Sequence, residues 1–177
     1  MFGETLATEI GGSLGHAMEL LNILLIEDSP SDVRLVREAL KENSVRVEMT
    51  VARDGVEAMD YLRLVERGGA SRPDLVLLDL NLPRKNGREV LAEVKASPEL
   101  RQIPVLVMTS SRADEDVQQA YNLNANCYIT KPADLNEYVK VVRAIEDFWF
   151  ATATLPYGTR LSSGLPPVKP SLECLRT

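Results

Sequence analysis

The sequence predicts an α/β domain of three layers, a parallel sheet with helices on both faces. Three observations lead there. Four short apolar runs, Ile23-Leu24-Leu25-Ile26, Leu75-Val76-Leu77-Leu78, Val105-Leu106-Val107-Met108 and Cys127-Tyr128-Ile129, are continuous rather than alternating, as strands buried on both faces are. Segments of helix length separate them. Each run is followed by groups that carry chemistry: Glu27-Asp28, Asp79, Thr109-Ser110 and Thr130-Lys131-Pro132. In an open parallel sheet ligands sit at the carboxyl ends of the strands, so these groups share one edge.

The elements follow in order. Residues 1–21, with Gly3, Gly11, Gly12 and Gly15 and no clear period, are expected to form a flexible leader; Met18 is a candidate translational start. The ordered domain is expected over 22–150. Its first strand, 22–27, leads into a helix near 31–42, opened by Ser29-Pro30-Ser31-Asp32 with Val33, Val36 and Leu40 on one face. The strand 45–51 alternates Val45, Val47, Met49 and Val51, as an edge strand would. Asp54-Gly55 turns into a helix bearing Val56, Met59, Leu62 and Val65. After Gly68-Gly69 come strand 74–79, a loop with Pro83 and Gly87, and a helix bearing Val90, Leu91 and Val94 that Ser97-Pro98 ends. Strand 104–109, a short helix 113–123, strand 126–129 and a long helix 134–150 complete five strand-then-helix units. Right-handed crossovers distribute those helices over both faces. The tail 151–177, with Pro156, Pro166, Pro167 and Pro170 among Gly and Ser, is expected as an extension without an output domain.

Composition excludes several classes. The 177 residues, 45% of them hydrophobic and 26% charged, suit one globular domain with extensions. Lys+Arg number 20 against Asp+Glu 26, a formal charge of −6, which argues against binding nucleic acid by phosphate neutralisation. No apolar stretch approaches the ~18–20 residues that span a membrane. The first cationic side chain is Arg34, so a secretory signal is not expected. Cys127, Cys174 and the single histidine His16 make neither a disulfide framework nor a metal cluster, and a cytoplasmic, thiol-reduced protein is the expectation.

Carboxylates gathered at one edge resist joint ionisation unless cations neutralise them. Glu27, Asp28 and Asp79 bring about three negative charges; a magnesium ion and Lys131 return about three positive ones. Asp79 is then a candidate carboxylate nucleophile toward a phosphoryl group, Thr109 offers a hydroxyl to a phosphoryl oxygen, and the Asn81 carbonyl can complete the metal shell. Each residue alone has a plainer reading. A strand-end acid is more often a helix cap, Thr109 a cap for the next helix, Lys131-Pro132 a loop, and Tyr128 a core residue. Their joint occurrence in this strand order carries the argument.

That set, Glu27-Asp28, Asp79-Leu80-Asn81-Leu82-Pro83, Gly87, Thr109-Ser110 and Tyr128-Ile129-Thr130-Lys131-Pro132, resembles the receiver domain of bacterial two-component response regulators. The resemblance implies a flavodoxin-like (βα)5 fold with a five-stranded parallel sheet of order 2-1-3-4-5. It implies Asp79 as phosphoacceptor, Glu27 and Asp28 as the acidic metal pair with Asp79 and the Asn81 carbonyl, and Mg2+ as the metal. It further implies Thr109 and Tyr128 as switch residues, Lys131 as the phosphate-contacting lysine, and a cis Lys131-Pro132 peptide. Ser110 departs mildly from the small residue common beside the switch hydroxyl. Such a protein takes phosphate from a sensor histidine kinase, loses it by self-hydrolysis, and is not a dedicated enzyme.

A narrower resemblance lies in Asn81-Leu-Pro-Arg-Lys-Asn-Gly-Arg-Glu-Val-Leu, Asn124-Ala-Asn-Cys-Tyr-Ile-Thr-Lys-Pro and Ile145-Glu-Asp-Phe-Trp. These segments are similar to small stand-alone regulators paired with phytochrome histidine kinases, which would make the upstream signal light.

Three other readings fit less well. A haloacid-dehalogenase-like phosphohydrolase also uses a strand-end Asp, but resembles Asp-x-Asp, and here Asn81 holds the position of the general acid. A phosphorylation-independent adaptor on the same scaffold is opposed by the intact acceptor set. A calcium loop starting at Asp79 fails because Pro83 takes the third ligand position.

The last helix carries more apolar surface than one core face requires. At ~100° per residue, Leu135, Val139, Val142 and Trp149 form one stripe, and Tyr138, Val141, Ile145 and Phe148 a second. Together they cover roughly 200°, against a little over ~100° for one buried stripe. The second stripe is expected at the centre of a symmetric homodimer, built on the face of 113–123, 126–129 and 134–150.

Overall fold

The computed structural model describes residues 20–41 and 46–156. Most of the expected leader and of the tail 151–177 lies outside the described residues. Ten elements alternate: β1 (Leu20–Ile26), α1 (Pro30–Lys41), β2 (Arg46–Ala52), α2 (Gly55–Glu66), β3 (Leu75–Leu78), α3 (Gly87–Ala96), β4 (Val105–Thr109), α4 (Asp114–Asn122), β5 (Cys127–Thr130) and α5 (Leu135–Glu146). All sheet pairings are parallel, in the order β2-β1-β3-β4-β5.

The strand side chains show why the runs are continuously apolar. Leu24, Ile26, Val76, Leu78, Val105 and Val107 pack on one face with Met59 and Leu62 of α2 and Val90, Leu91 and Val94 of α3. Their neighbours Ile23, Leu25, Leu75, Leu77, Leu106 and Met108 pack on the other with Val36 and Leu40 of α1 and Val142 of α5. Alternate residues therefore feed two separate cores, and neither set can be polar. Truncating any such leucine to Ala would cost roughly 2–5 kcal/mol. The alternating strand β2 lies at the sheet edge, as its pattern predicts.

Local chemistry sets the helix starts. Asp54 caps α2, accepting from the N–H groups of Val56 (2.8 Å) and Glu57 (3.0 Å). Asn86 and Glu89 form a reciprocal capping box at α3, both bonds 3.0 Å. Asp134 caps α5 through the Glu137 N–H at 3.0 Å.

The chain after β5 departs from the sequence reading in two ways. The expected helix over 134–150 is α-helical only to Glu146 and continues as a π-helical turn, Asp147–Thr152. The Ala153 N–H closes that wider turn onto the Phe148 carbonyl at 2.7 Å, while Trp149 and Phe150 both pack against the α1–α5 core. The second departure concerns the proposed interface. Tyr138 and Ile145 are buried, at 4% and 6% exposure, and half-buried Val141 packs on the same core. Only Phe148 of that stripe is exposed, and Leu135, expected toward the core, is exposed too. The reason is that α5 packs against α1 as well as against the sheet, so its buried arc is wider than one stripe and rotated from the expected position.

Candidate functional site

The register brings the chemistry-bearing strand ends together. Ile26 lies opposite Leu78, so the next residues, Glu27 and Asp79, emerge side by side at the sheet edge. The Asp79 N–H continues the ladder to the Ile26 carbonyl at 3.0 Å. Thr109 lies opposite Thr130, and the Lys131 N–H reaches the Thr109 carbonyl at 2.7 Å, which aims the lysine across the edge. Close packing beneath Asp79 depends on Gly87. A Cβ there would overlap the Asp79 carbonyl oxygen and stand 2.7 Å from Leu80 Cα.

The Lys131 ammonium is the centre of the site. Its Nζ donates to Glu27 Oε2 at 2.6 Å, Asp79 Oδ2 at 2.7 Å and Asp32 Oδ2 at 2.8 Å. Burial by itself would lower the lysine, but the bonds to Asp32, Asp79 and Glu27 outweigh it and hold the ammonium above the ordinary lysine range. Burial pushes the Glu27 carboxyl up, against the opposing pull of Lys131. The other oxygens are also engaged: Glu27 Oε1 accepts the Ser29 N–H at 3.2 Å and Asp79 Oδ1 the Asn81 N–H at 2.9 Å.

Of the residues expected at the site, Glu27, Asp79 and Lys131 converge directly. Thr109 is fully buried beside them, its hydroxyl accepting from Asn81 Nδ2 at 3.3 Å. Tyr128 is half-buried and donates its hydroxyl to the Ser111 carbonyl at 3.1 Å. Asp28 is exposed and stands outside the set of acids bound to Lys131. The Lys131-Pro132 peptide is trans, against the cis expectation, and the lysine reaches its three acids from that backbone.

Two features escaped the sequence reading. Asp32 reads as part of a helix-opening Ser-Pro-Ser-Asp segment, yet its carboxylate sits on Lys131 because α1 begins beside the same sheet edge. A second group, Arg88, Asp116 and Ser111, links α3 to the loop that receives the Tyr128 hydroxyl. Hydrogen bonds from Ser111 and Arg88 hold the Asp116 carboxyl below its usual range.

Among the described residues no three acidic, Cys or His side chains stand as a metal cage; the carboxylates of Glu27, Asp32 and Asp79 are gathered on the Lys131 ammonium. The donor set nevertheless fits a hard divalent cation. Three carboxylates against one ammonium leave about two negative charges uncompensated, and every donor is oxygen.

A five-stranded parallel sheet of order β2-β1-β3-β4-β5 with an acid cluster and a lysine at its carboxyl edge is the arrangement expected of a receiver-type signalling module. Residues 23–143 match the family model of the response regulator receiver domain, and the chain belongs to that family. The sequence is 50% identical over 135 residues to the response regulator Rcp1 of Synechocystis sp., covering 76% of this chain and 92% of that protein. The crystal structure of the Mn(2+)-bound form of Rcp1 superposes with a TM-score of 0.73 at 50% identity, over 77% of this chain and 99% of that one. The phosphorylated cyanobacterial phytochrome response regulator RcpA gives 0.75 at 52% identity, over 78% and 99%. The phosphohydrolase alternative gives way to this family. No helix among the described residues is long and apolar enough to cross a membrane.

Proposed function

We propose that this response regulator accepts a phosphoryl group on Asp79 from the phosphohistidine of a sensor kinase. The observation that carries the reading is the Lys131 ammonium bound at once to Asp79 and to buried Glu27 at the sheet edge. A carboxylate oxygen of Asp79 attacks phosphorus, the phosphorus–nitrogen bond breaks with its electron pair left on the imidazole, and an acyl phosphate forms. Lys131 offers its charge to a phosphoryl oxygen, and the Thr109 hydroxyl offers a hydrogen bond. Glu27, Asp28, Asp79 and the Asn81 carbonyl would hold the metal, which we take to be Mg2+ and which supplies charge neutralisation for the transferring oxygens. Water returns the acyl phosphate to carboxylate and phosphate, so the regulator resets itself.

The likeness to RcpA supports a phytochrome-type kinase as the partner and light as the signal. Engagement of Thr109 by the phosphoryl group would release space beside Tyr128, shifting the face of α4, β5 and α5. Exposed Tyr121 on α4, Leu135 on α5 and Phe148 on the turn that follows α5 favour homodimerisation through this region; of the stripe expected at its centre, Tyr138, Val141, Ile145 and Phe148, it is Phe148 that stays exposed. The test is incorporation of labelled phosphate from a histidine kinase or acetyl phosphate. Label should enter the wild type, fail to enter Asp79→Asn, and fall sharply when a chelator removes divalent cations. Equal labelling of Asp79→Asn would overturn the assignment.

A further inference from the structure

An ammonium has three N–H donors, and Lys131 spends all three on Glu27, Asp79 and Asp32. It has none left for a phosphoryl oxygen: its bond to Asp79 can pass to the group that Asp79 then carries, and any second contact with that group must come from the bond to Glu27 or to Asp32. The acids differ in what release would cost. The side chains of Glu27 and Asp79 are 2% and 7% exposed, whereas that of Asp32 is 25% exposed on the first turn of α1. Water can take over part of the Asp32 carboxylate and little of the other two. Asp32 is therefore the partner that Lys131 leaves most readily.

A second observation concerns where Asp32 would go. The Tyr138 hydroxyl, on α5, is buried and has no hydrogen-bond partner among the described residues. A buried hydroxyl without a partner is costly and rarely left so without a use. Asp32, Lys131 and Tyr138 line one cavity of about 430 Å³, together with Leu35, Ser110 and Arg112. Burial pushes the Tyr138 phenol up, and the charges of Lys131, Asp32, Glu27 and Asp79 all act on it, which places it within electrostatic reach of the cluster.

We propose that Asp32 is a positioning residue that restrains Lys131 in the resting protein and passes to the Tyr138 hydroxyl when Lys131 turns to a phosphoryl group on Asp79. This rests on the reading of Asp79 as phosphoacceptor. It adds a route from the site to α5 through α1, separate from Thr109 and Tyr128. Asp32 restrains the resting state through its bond to Lys131; Tyr138 favours the loaded state by receiving the released carboxylate. The two side chains therefore act as one exchange, and their effects cannot be independent.

The experiment measures beryllofluoride affinity in the presence of Mg2+, with labelling by acetyl phosphate alongside. The proteins are the wild type, Asp32→Ala, Tyr138→Phe and the double variant. Asp32→Ala should bind beryllofluoride about three- to tenfold more tightly, the value of one hydrogen bond. Tyr138→Phe should bind it more weakly by a similar factor, yet show no lower thermal midpoint when unloaded, since its hydroxyl has no resting partner among the described residues. In the Asp32→Ala background, which leaves no acceptor at that position, Tyr138→Phe should change nothing, and the Tyr138 ring-carbon resonance should move on loading only when Asp32 is present. Equal effects of Tyr138→Phe in both backgrounds, or unchanged binding in Asp32→Ala while wild type labels normally, would overturn the exchange. Failure of the wild type to take label at all would overturn the phosphoacceptor reading and the exchange with it.

Discussion

Gly87, the first residue of α3, lies against the backbone of Asp79: its N–H donates to the Leu80 carbonyl at 3.0 Å, and any Cβ would overlap the Asp79 carbonyl oxygen. The clash is with backbone on both sides, so no side chain can swing away to relieve it. Gly87→Ala should destabilise the domain by about 1–3 kcal/mol and displace Asp79 from Lys131. Urea denaturation and labelling of the same variant check both; a stable variant with normal labelling would mean the loop has room that the structure denies.

Lys131 compensates acids that cannot easily be hydrated. Lys131→Met should cost about 3–5 kcal/mol at neutral pH, the range found when one partner of a buried ion pair is removed. The carboxylates left behind would bind protons more readily in the folded than in the unfolded state. The variant should therefore gain stability relative to wild type as pH falls toward 5, and should gain more than wild type from added Mg2+. Denaturation midpoints at pH 7 and pH 5, with and without Mg2+, provide the check.

Lys95 titrates unusually and far from this site. Its Nζ donates to the Ile103 carbonyl (2.8 Å), Asn126 Oδ1 (2.9 Å) and the Arg101 carbonyl (3.2 Å), all neutral acceptors, and burial lowers it to about 8. Between about 8 and its ordinary value of 10.5 the folded protein has released a proton that the unfolded chain keeps. Stability attributable to Lys95 should therefore rise with pH across that window. Below about pH 8 its contribution should not vary. Lys95→Met should flatten the slope between pH 8 and 10; an identical slope in both proteins would contradict the assignment.

The exposed rings of α4 and of the turn that follows α5 offer a test of self-association. Phe148 is 54% exposed and Tyr121 50%. Phe148→Glu with Tyr121→Glu should yield a monomer in sedimentation experiments at concentrations where the wild type is dimeric. Neither substitution should change the thermal midpoint of the monomer by more than about 0.5 kcal/mol equivalent, as for ordinary surface sites. A wild-type monomer at high concentration, loaded or not, would remove the proposed interface.

Much of this protein was legible in its sequence, for one physical reason. A strand buried on both faces must be apolar at every position, so Leu75-Val76-Leu77-Leu78 and its counterparts declare themselves, and the polar residues after each run mark the edge where the acids and the lysine meet. Glu27, Asp79, Thr109 and Lys131 were found that way. The order of the sheet came from resemblance, since periodicity does not say which strands are neighbours. Tertiary structure alone decided the rest. Asp32 reaches Lys131 across 99 residues of sequence, a distance no local pattern encodes. Asp28 follows Glu27 directly, yet one is exposed and the other buried. On α5 the stripes were read correctly as apolar but assigned to the wrong surroundings. Periodicity reports which residues share a helix face, whereas burial of Tyr138 and Ile145 depends on α1 lying beside that helix, a neighbour set by chain crossover rather than by any property of the helix itself.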